Sequence, residues 1–395
     1  MKAIVTGCTL LLALVSLPTV AQSVRSLSLG EVLEAAVLRS PAQPGEGGMP
    51  PYQASAWLAG LPSVSVSYLD SSERTGTDET ELALDLPLNS PRQRRVDRSL
   101  RQLDEQLREA HAHNRRLLLS GLIREAVWSQ RIAAEQADSA GRKMTLLRRL
   151  EQRQRELHAG NAISTYALLL VEKELVDAEL QQMEFKRAAQ QWMQRYRQLT
   201  GLGVIPEQIE EPEPVAGAFR PQQHPAWVAL DLGWLQRQQL LLAASPQAEP
   251  WNLSLYAKQL DSPALEENQY GLGLEIPLTF LRVARASDNS QWLEESRRTS
   301  LEKDRLALEL EGRWNRLVAE GRALREGQDL LQRASELGRE IAREVKDLQA
   351  SNELEEEIAL RRIMEAIDGR AEVAVNRLRI AQNVAMRRQA AGLAL

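Results

Sequence analysis

The chain has 395 residues, enough for two ordinary domains, with 26% charged but only 4% aromatic residues. That composition is thin for one large globular core and suits long helices packed through Leu and Ala stripes. The net charge of -5 and the lack of a long basic run argue against a nucleic-acid partner.

The chain opens with "MKAIVTGCTLLLALVSLPTVAQS": one cation at Lys2, an apolar run, then small residues before Gln22. This is the pattern of a secretory signal peptide over residues 1–21, and the run is too short to span about 30 Å of hydrocarbon. Cys8 precedes the apolar segment instead of following it, so no lipoprotein processing site is expected. With that leader removed, the exported chain has no thiol, which fits the bacterial envelope.

Two stretches far apart echo each other. "ETELALDLPLNSP" begins at Glu79 and "NQYGLGLEIPLTF" at Asn268, and both alternate apolar with polar or small residues. Pro87 and Pro277, Asn161 and Asn352, Asp177 and Asp368, and Gly201 and Gly392 recur at a nearly constant offset. The spacing argues duplication: a first repeat over 22–205, a Pro- and Glu-rich linker over 206–223, and a second repeat over 224–395.

Each repeat is expected to hold a short helix, two strands, a very long helix, a turn and a shorter helix. The strands are read at Ser63–Leu69, Glu81–Leu88, Asn252–Leu260 and Tyr270–Leu278. Leu82, Leu84, Leu86 and Leu88 share one face, as do Leu272, Leu274, Ile276 and Leu278; Glu81, Ala83, Asp85, Gly271, Gly273 and Glu275 take the other. A soluble half-buried hairpin would give the same alternation. Strands of this length suit a tilted membrane span, and the polar tips "DSSERTGTDET" and "DSPALEENQ" read as long external loops. Trp57, Tyr68, Trp251, Tyr256 and Tyr270 lie near strand ends, where interfacial aromatics belong.

The long helices span Arg92–His158 and about 284–348, with heptad seams through Val96, Leu100, Leu103, Leu107 and Ala110, and through Leu310, Trp314, Leu317, Gly321, Leu324, Leu337 and Ile341. Each would be roughly 100 Å long. The return helix Ile163–Leu199 is only about 55 Å, so a second short helix, Ala226–Ala244, is expected to complete its column.

"LSLGEVLEAAVLRSP", the strand endings "LDLPLNSPRQRR" and "LEIPLTFLRVAR", the turn "HAGNAISTYALLLVEKELVDAE" and the closings "RYRQLTGL" and "RRQAAGLA" together resemble the TolC-like outer-membrane efflux proteins over essentially the whole mature chain. "PLNSPRQRR" looks most like the branch serving heavy-metal and related cation pumps. "SPAQPGEGGMPP" stands where the family's first helix continues. The resemblance implies a mostly helical α+β fold: a homotrimer whose four strands per chain form a 12-stranded β-barrel in outer-membrane lipid, continued by a periplasmic α-helical barrel. It implies a channel that works with a periplasmic adaptor (membrane fusion protein) and an inner-membrane pump. The residues by themselves require partners, because four strands cannot close and open edges are not tolerated in hydrocarbon, but they do not choose the copy number.

No catalytic constellation, cofactor motif or metal set is visible. His111 and His113 face different sides of a helix, His158 sits by a turn, and His224 precedes a proline. The informative cluster is Glu353, Glu355, Glu356 and Glu357 beside the second helical turn. These carboxylates suit a solvated helix start. They also suit a like-charge ring at a periplasmic aperture, which would select cations. Aligning the turns sets Glu357 opposite Tyr166, near the family's gating aspartates, with Arg361 or Arg362 as compensating partners. The tips Gly160, Asn161 and Ile163, and Ser351, Asn352 and Leu354, are expected to meet the adaptor. The competing class is a periplasmic coiled-coil adaptor or scaffold without a channel.

Overall fold

The computed structural model describes residues 27–40, 55, 57–160, 163–215, 217, 219–243, 249–277, 286–350 and 356–395. The expected leader over 1–21, with Cys8, lies outside them.

Among the described residues, six helices and four strands follow in the order α1 (Leu29–Arg39), β1 (Ser63–Leu69), β2 (Asp78–Leu88), α2 (Pro91–Ala159), α3 (Thr165–Thr200), α4 (Pro225–Ala243), β3 (Trp251–Ser262), β4 (Leu265–Glu275), α5 (Ala286–Ala350) and α6 (Glu356–Ala390). One 3-10 turn, Pro221–Gln223, precedes α4. Helix–strand–strand–long helix–shorter helix thus runs twice along the chain.

Local sequence explains the boundaries. Ser28 and Glu31 close a capping box at the start of α1. Ser90 caps α2 by accepting from the Gln93 amide at 3.2 Å, and Pro91 takes the first helical position, where its missing N–H costs nothing. Only Asn89 and Ser90 separate β2 from α2, so the strand feeds directly into the long helix. Ser164 caps α3, which ends at Gly201 with φ 76, a left-handed conformation that favours glycine. Arg39, in the last turn of α1, donates to the Gln198 carbonyl at 3.1 Å and places a cation at the negative end of α3.

α2 has 69 residues and α5 has 65, about 100 Å each at 1.5 Å per residue. α3 packs along the C-terminal part of α2, with Arg148–Glu179 and Arg155–Glu172 pairs bridging them. α4 packs on the N-terminal part of α2 and reaches α5 through Arg237–Glu295 and Lys303–Asp231, completing the column as the lengths required.

One core joins both halves: Val32, Leu33 and Ala36 of α1 meet Ile123, Val127 and Trp128 of α2, Tyr196 of α3 and Ala385 of α6. A second, near the turns, gathers Leu147, Val171, Ala178 and Met364.

The α5 seam differs from its reading in part. Leu310 is buried, but Leu337 and Ile341 are exposed. Small and amide residues face α6 instead. Gly321 accommodates Asn383, whose amide donates to the Leu317 carbonyl, and Asn376 does the same at Leu324, one heptad away. Two amides bonded to backbone at this spacing fix the register of the pair, a role leucines cannot fill.

Candidate functional site

The four strands form one antiparallel meander in the order β1-β2-β3-β4, so the two hairpins meet along β2 and β3. Residues directly opposite in antiparallel pairing share a face. Following the register gives continuous rows across the sheet: Leu86–Leu253–Leu274, then Val64–Leu84–Leu255–Leu272, then Val66–Leu82–Ala257–Tyr270. Leu88 and Trp251 pair at one end of this apolar face, and Tyr68, Thr80, Gln259 and Asn268 align at the other. The face therefore has an aliphatic band with aromatic residues at both ends.

Most of that band is open. Val66 is 71% exposed and Leu272 68%. No described element packs over it. Among the described residues, the outer edges of β1 and β4 also carry no strand partner.

The opposite face is polar or small: Ser63, Ser65 and Ser67, then Glu81 and Asp85, then Ser254, Tyr256 and Lys258, then Gly271 and Gly273. Ser254 donates to Asp85 at 2.6 Å, and Lys258 pairs with Glu79 at 2.5 Å. The Tyr256 ring occupies the space beside Gly271, where an added Cβ would lie 2.0 Å from it. An aromatic lying over a strand glycine restores packing that the missing side chain gives up.

The observed strands extend the sequence reading by up to five residues at the tips, and the last one ends at Glu275 with Leu278 outside the described residues. The second tip is corrected. Instead of a long external loop, β3 and β4 run to a tight turn at Pro263–Ala264, closed by hydrogen bonds between Ser262 and Leu265.

At the far end of the helices, Gly160 closes α2 with φ -81, an ordinary conformation, and Ile163 follows the turn. The Ile163 carbonyl lies 3.4 Å from His158 Nδ1. Asn161, Ser351, Asn352, Glu353, Leu354 and Glu355 lie outside the described residues, as do the side chains of Glu356 and Glu357. Tyr166 is the second residue of α3 and is exposed, and Glu357 is the second residue of α6. Arg362 pairs with Glu365 at 2.8 Å.

His111 and His113 are exposed, and among the described residues no three His, Cys, Asp or Glu side chains converge on a metal position. His224 is buried and accepts the Ala226 amide at 3.2 Å on Nδ1, which helps to start α4. Burial, then the nearby Arg313 charge, lowers its pKa.

The linker holds the feature that sequence reasoning missed. Its Glu211 receives a bidentate guanidinium from fully buried Arg124 at 2.8 and 2.6 Å, and Arg388 Nε at 3.0 Å. Arg124 also donates to Gln389 and to the Leu393 carbonyl, tying α2 to the end of α6. Glu213 pairs with Arg387 and Arg325, whose hydrogen bonds and charges hold its pKa below the usual carboxylate value. Phe219 stacks on Trp314 at 5.2 Å. Two glutamates in a linker were the available signal, but their buried partners lie far away in sequence.

No family model matches the chain, and no curated relative does either. Solved structures do. The outer membrane protein VceC of Vibrio cholerae superposes with a TM-score of 0.70 at 12% identity, covering 93% of this chain and 96% of its own. The Campylobacter jejuni CmeC outer membrane channel gives 0.60 at 14% identity, over 84% and 77%. The outer-membrane channel OprN gives 0.60 at 13%, over 92% and 85%. At such identities the likeness concerns fold. Over the lengths covered, this chain has the fold of the TolC-like outer-membrane channels.

Proposed function

We propose that this chain is the outer-membrane channel of a tripartite export system, carrying substrate from an inner-membrane pump and periplasmic adaptor to the exterior. The carrying observation is the sheet: an apolar face with aromatic ends, left uncovered, on four strands with two unpaired edges. In water such a face and such edges invite aggregation. In hydrocarbon the face is satisfied, but the edges must pair, because no water can serve them. No described helix is long and apolar enough to cross a membrane, so the sheet is the described element with a lipid-compatible surface.

Three copies, giving a 12-stranded barrel, are what the sequence resemblance to the TolC-like family implies. Two uncovered helix stripes support association: Tyr166, Leu169, Val176, Leu180 and Met183 on α3, and Leu330, Leu337 and Ile341 on α5. Their three-, four- and seven-residue steps are those of helix seams awaiting partners. The doubled element order supports tandem repeats over 22–205 and 224–395 behind a leader at 1–21. At the periplasmic end, Glu353, Glu355, Glu356 and Glu357 narrow the entrance, and the two turns meet the adaptor. The channel itself performs no chemistry and holds no cofactor; the pump selects the cargo.

Fractionation tests the assignment. A channel stays with outer membranes through a high-salt wash, and export of the pump's substrate stops when the gene is deleted. Release into the soluble fraction would support the periplasmic scaffold instead.

A further inference from the structure

We infer that the first three turns of α2 form a cationic collar that binds the phosphate headgroups of anionic phospholipids in the leaflet facing the helices. The inference rests on the membrane reading of the sheet. Arg92, Arg94, Arg95, Arg98 and Arg101 lie within ten residues and are all exposed. Arg124, Arg148, Arg155, Arg237, Arg362 and Arg387, by contrast, each hold a carboxylate. These five hold none among the described residues.

Their position is unfavourable for the helix alone. The N-terminal end of a helix carries partial positive charge and favours acidic side chains, yet the first turn of α2 has no acidic residue and begins Pro-Arg-Gln-Arg-Arg. Asp97 faces inward and is buried, so it does not neutralise the outer surface. An external anion offsets both the dipole and the mutual repulsion of the guanidinium groups.

Placement identifies the anion. The apolar band ends at the Leu88–Trp251 pair, only Asn89 and Ser90 intervene, and the arginines begin at Arg92. Asn89 is pinned there: it is buried, its side chain donates to the Ser55 carbonyl at 2.8 Å, and its amide donates to Trp57. The ordered sequence of aliphatic rows, then Trp57 and Trp251, then arginines reproduces the profile of a leaflet: acyl chains, interface, phosphates. Guanidinium groups bind phosphate oxygens bidentately, and three turns of helix reach about 15 Å below the band, which spans a headgroup layer of about 5–8 Å and a further Debye length of about 8 Å beneath it.

The test uses the purified full-length protein in neutral detergent, titrated with short-chain phosphatidylglycerol, phosphatidylcholine or inorganic phosphate, with thermal unfolding as the readout. Phosphatidylglycerol should stabilise the parent at about tenfold lower concentration than phosphatidylcholine, with the preference shrinking as salt rises. Replacing the five arginines by Gln should abolish that preference, and replacing them by Lys should retain most of it. Equal stabilisation by inorganic phosphate would overturn the lipid assignment. So would an altered ion selectivity of the reconstituted channel with unchanged lipid preference, which would put the arginines in the lumen. Membrane fractionation of the same parent separates the failures: a membrane-resident parent without lipid preference overturns this inference alone, whereas a parent absent from membranes overturns the channel reading.

Discussion

Leu255 lies at the centre of the apolar band, four residues from Trp251 and four from Gln259 along β3. At about 3.4 Å per residue those eight steps span about 27 Å along the strand, or about 20 Å of height at a tilt near 40°. Leu255→Arg therefore puts a guanidinium near the midplane, where the cost in a membrane barrel is about 2–4 kcal/mol, against about 0–1 for Gln259→Arg at the rim. Ser254→Arg reverses the side. It points a cation toward Asp85, which Ser254 already contacts at 2.6 Å, and should be nearly neutral. If the sheet faced water, Leu255→Arg would replace a side chain that is already 38% exposed, and surface substitutions cost no more than about 0.5 kcal/mol. The assay is denaturant unfolding from lipid vesicles, with membrane-resident oligomer scored in cells. A large loss at 255 with small losses at 254 and 259 is expected. Equal effects at 254 and 255, or no effect at either, would refute the reasoning.

Glu211→Gln strips the charge that Arg124 and Arg388 share and leaves a buried guanidinium uncompensated, which should cost about 3–5 kcal/mol in thermal or denaturant unfolding. Arg124→Met combined with Glu211→Gln should recover much of that loss, because the fully buried guanidinium is gone and only the partly exposed Arg388 loses its carboxylate. His224 has a folded pKa below its ordinary 6.5, and protonation removes the acceptor that holds the Ala226 amide. Its contribution is complete above pH about 6.5 and declines as pH falls toward the lowered value; the melting temperature of His224→Asn should lose that portion of its pH dependence. Replacing Glu355, Glu356 and Glu357 together by Gln should reduce cation preference and raise open probability in single-channel records; unchanged conduction would leave them a solvated helix start.

Strands and helices were legible because both carry strict periodicity. Leu82, Leu84 and Leu86 step by two, and Val96, Leu100 and Leu103 step by four and three, so each residue type announced its face. The second hairpin tip was misread because "DSPALEENQ" is polar throughout, and polarity alone does not distinguish a loop from a strand continuing beyond the apolar band. The α5 seam drifted for a related reason: Gly321, Gln328 and Ser335 face α6 although none is hydrophobic, while Leu337 points away. Apolar residues on a helix of an assembling chain divide between partners within the chain and beyond it, and periodicity does not label which is which. The Arg124–Glu211 lock was illegible because a long-range ion pair leaves no local pattern.

The central claim is that copies of this chain join β1 to β4 around a closed barrel. Because Cys8, within the proposed leader, is the only cysteine in the sequence, single cysteines can be placed on β1, at Val64 or Val66, and scanned along β4 from Glu267 to Glu275 in a Cys8→Ser background. Oxidation in intact cells should give cross-linked species of up to three chains, strongest at alternate β4 positions that share the lipid-facing side. Cross-links that stop at two chains, extend without limit, or fail to form at any position while the protein remains in the membrane would contradict a closed three-chain barrel.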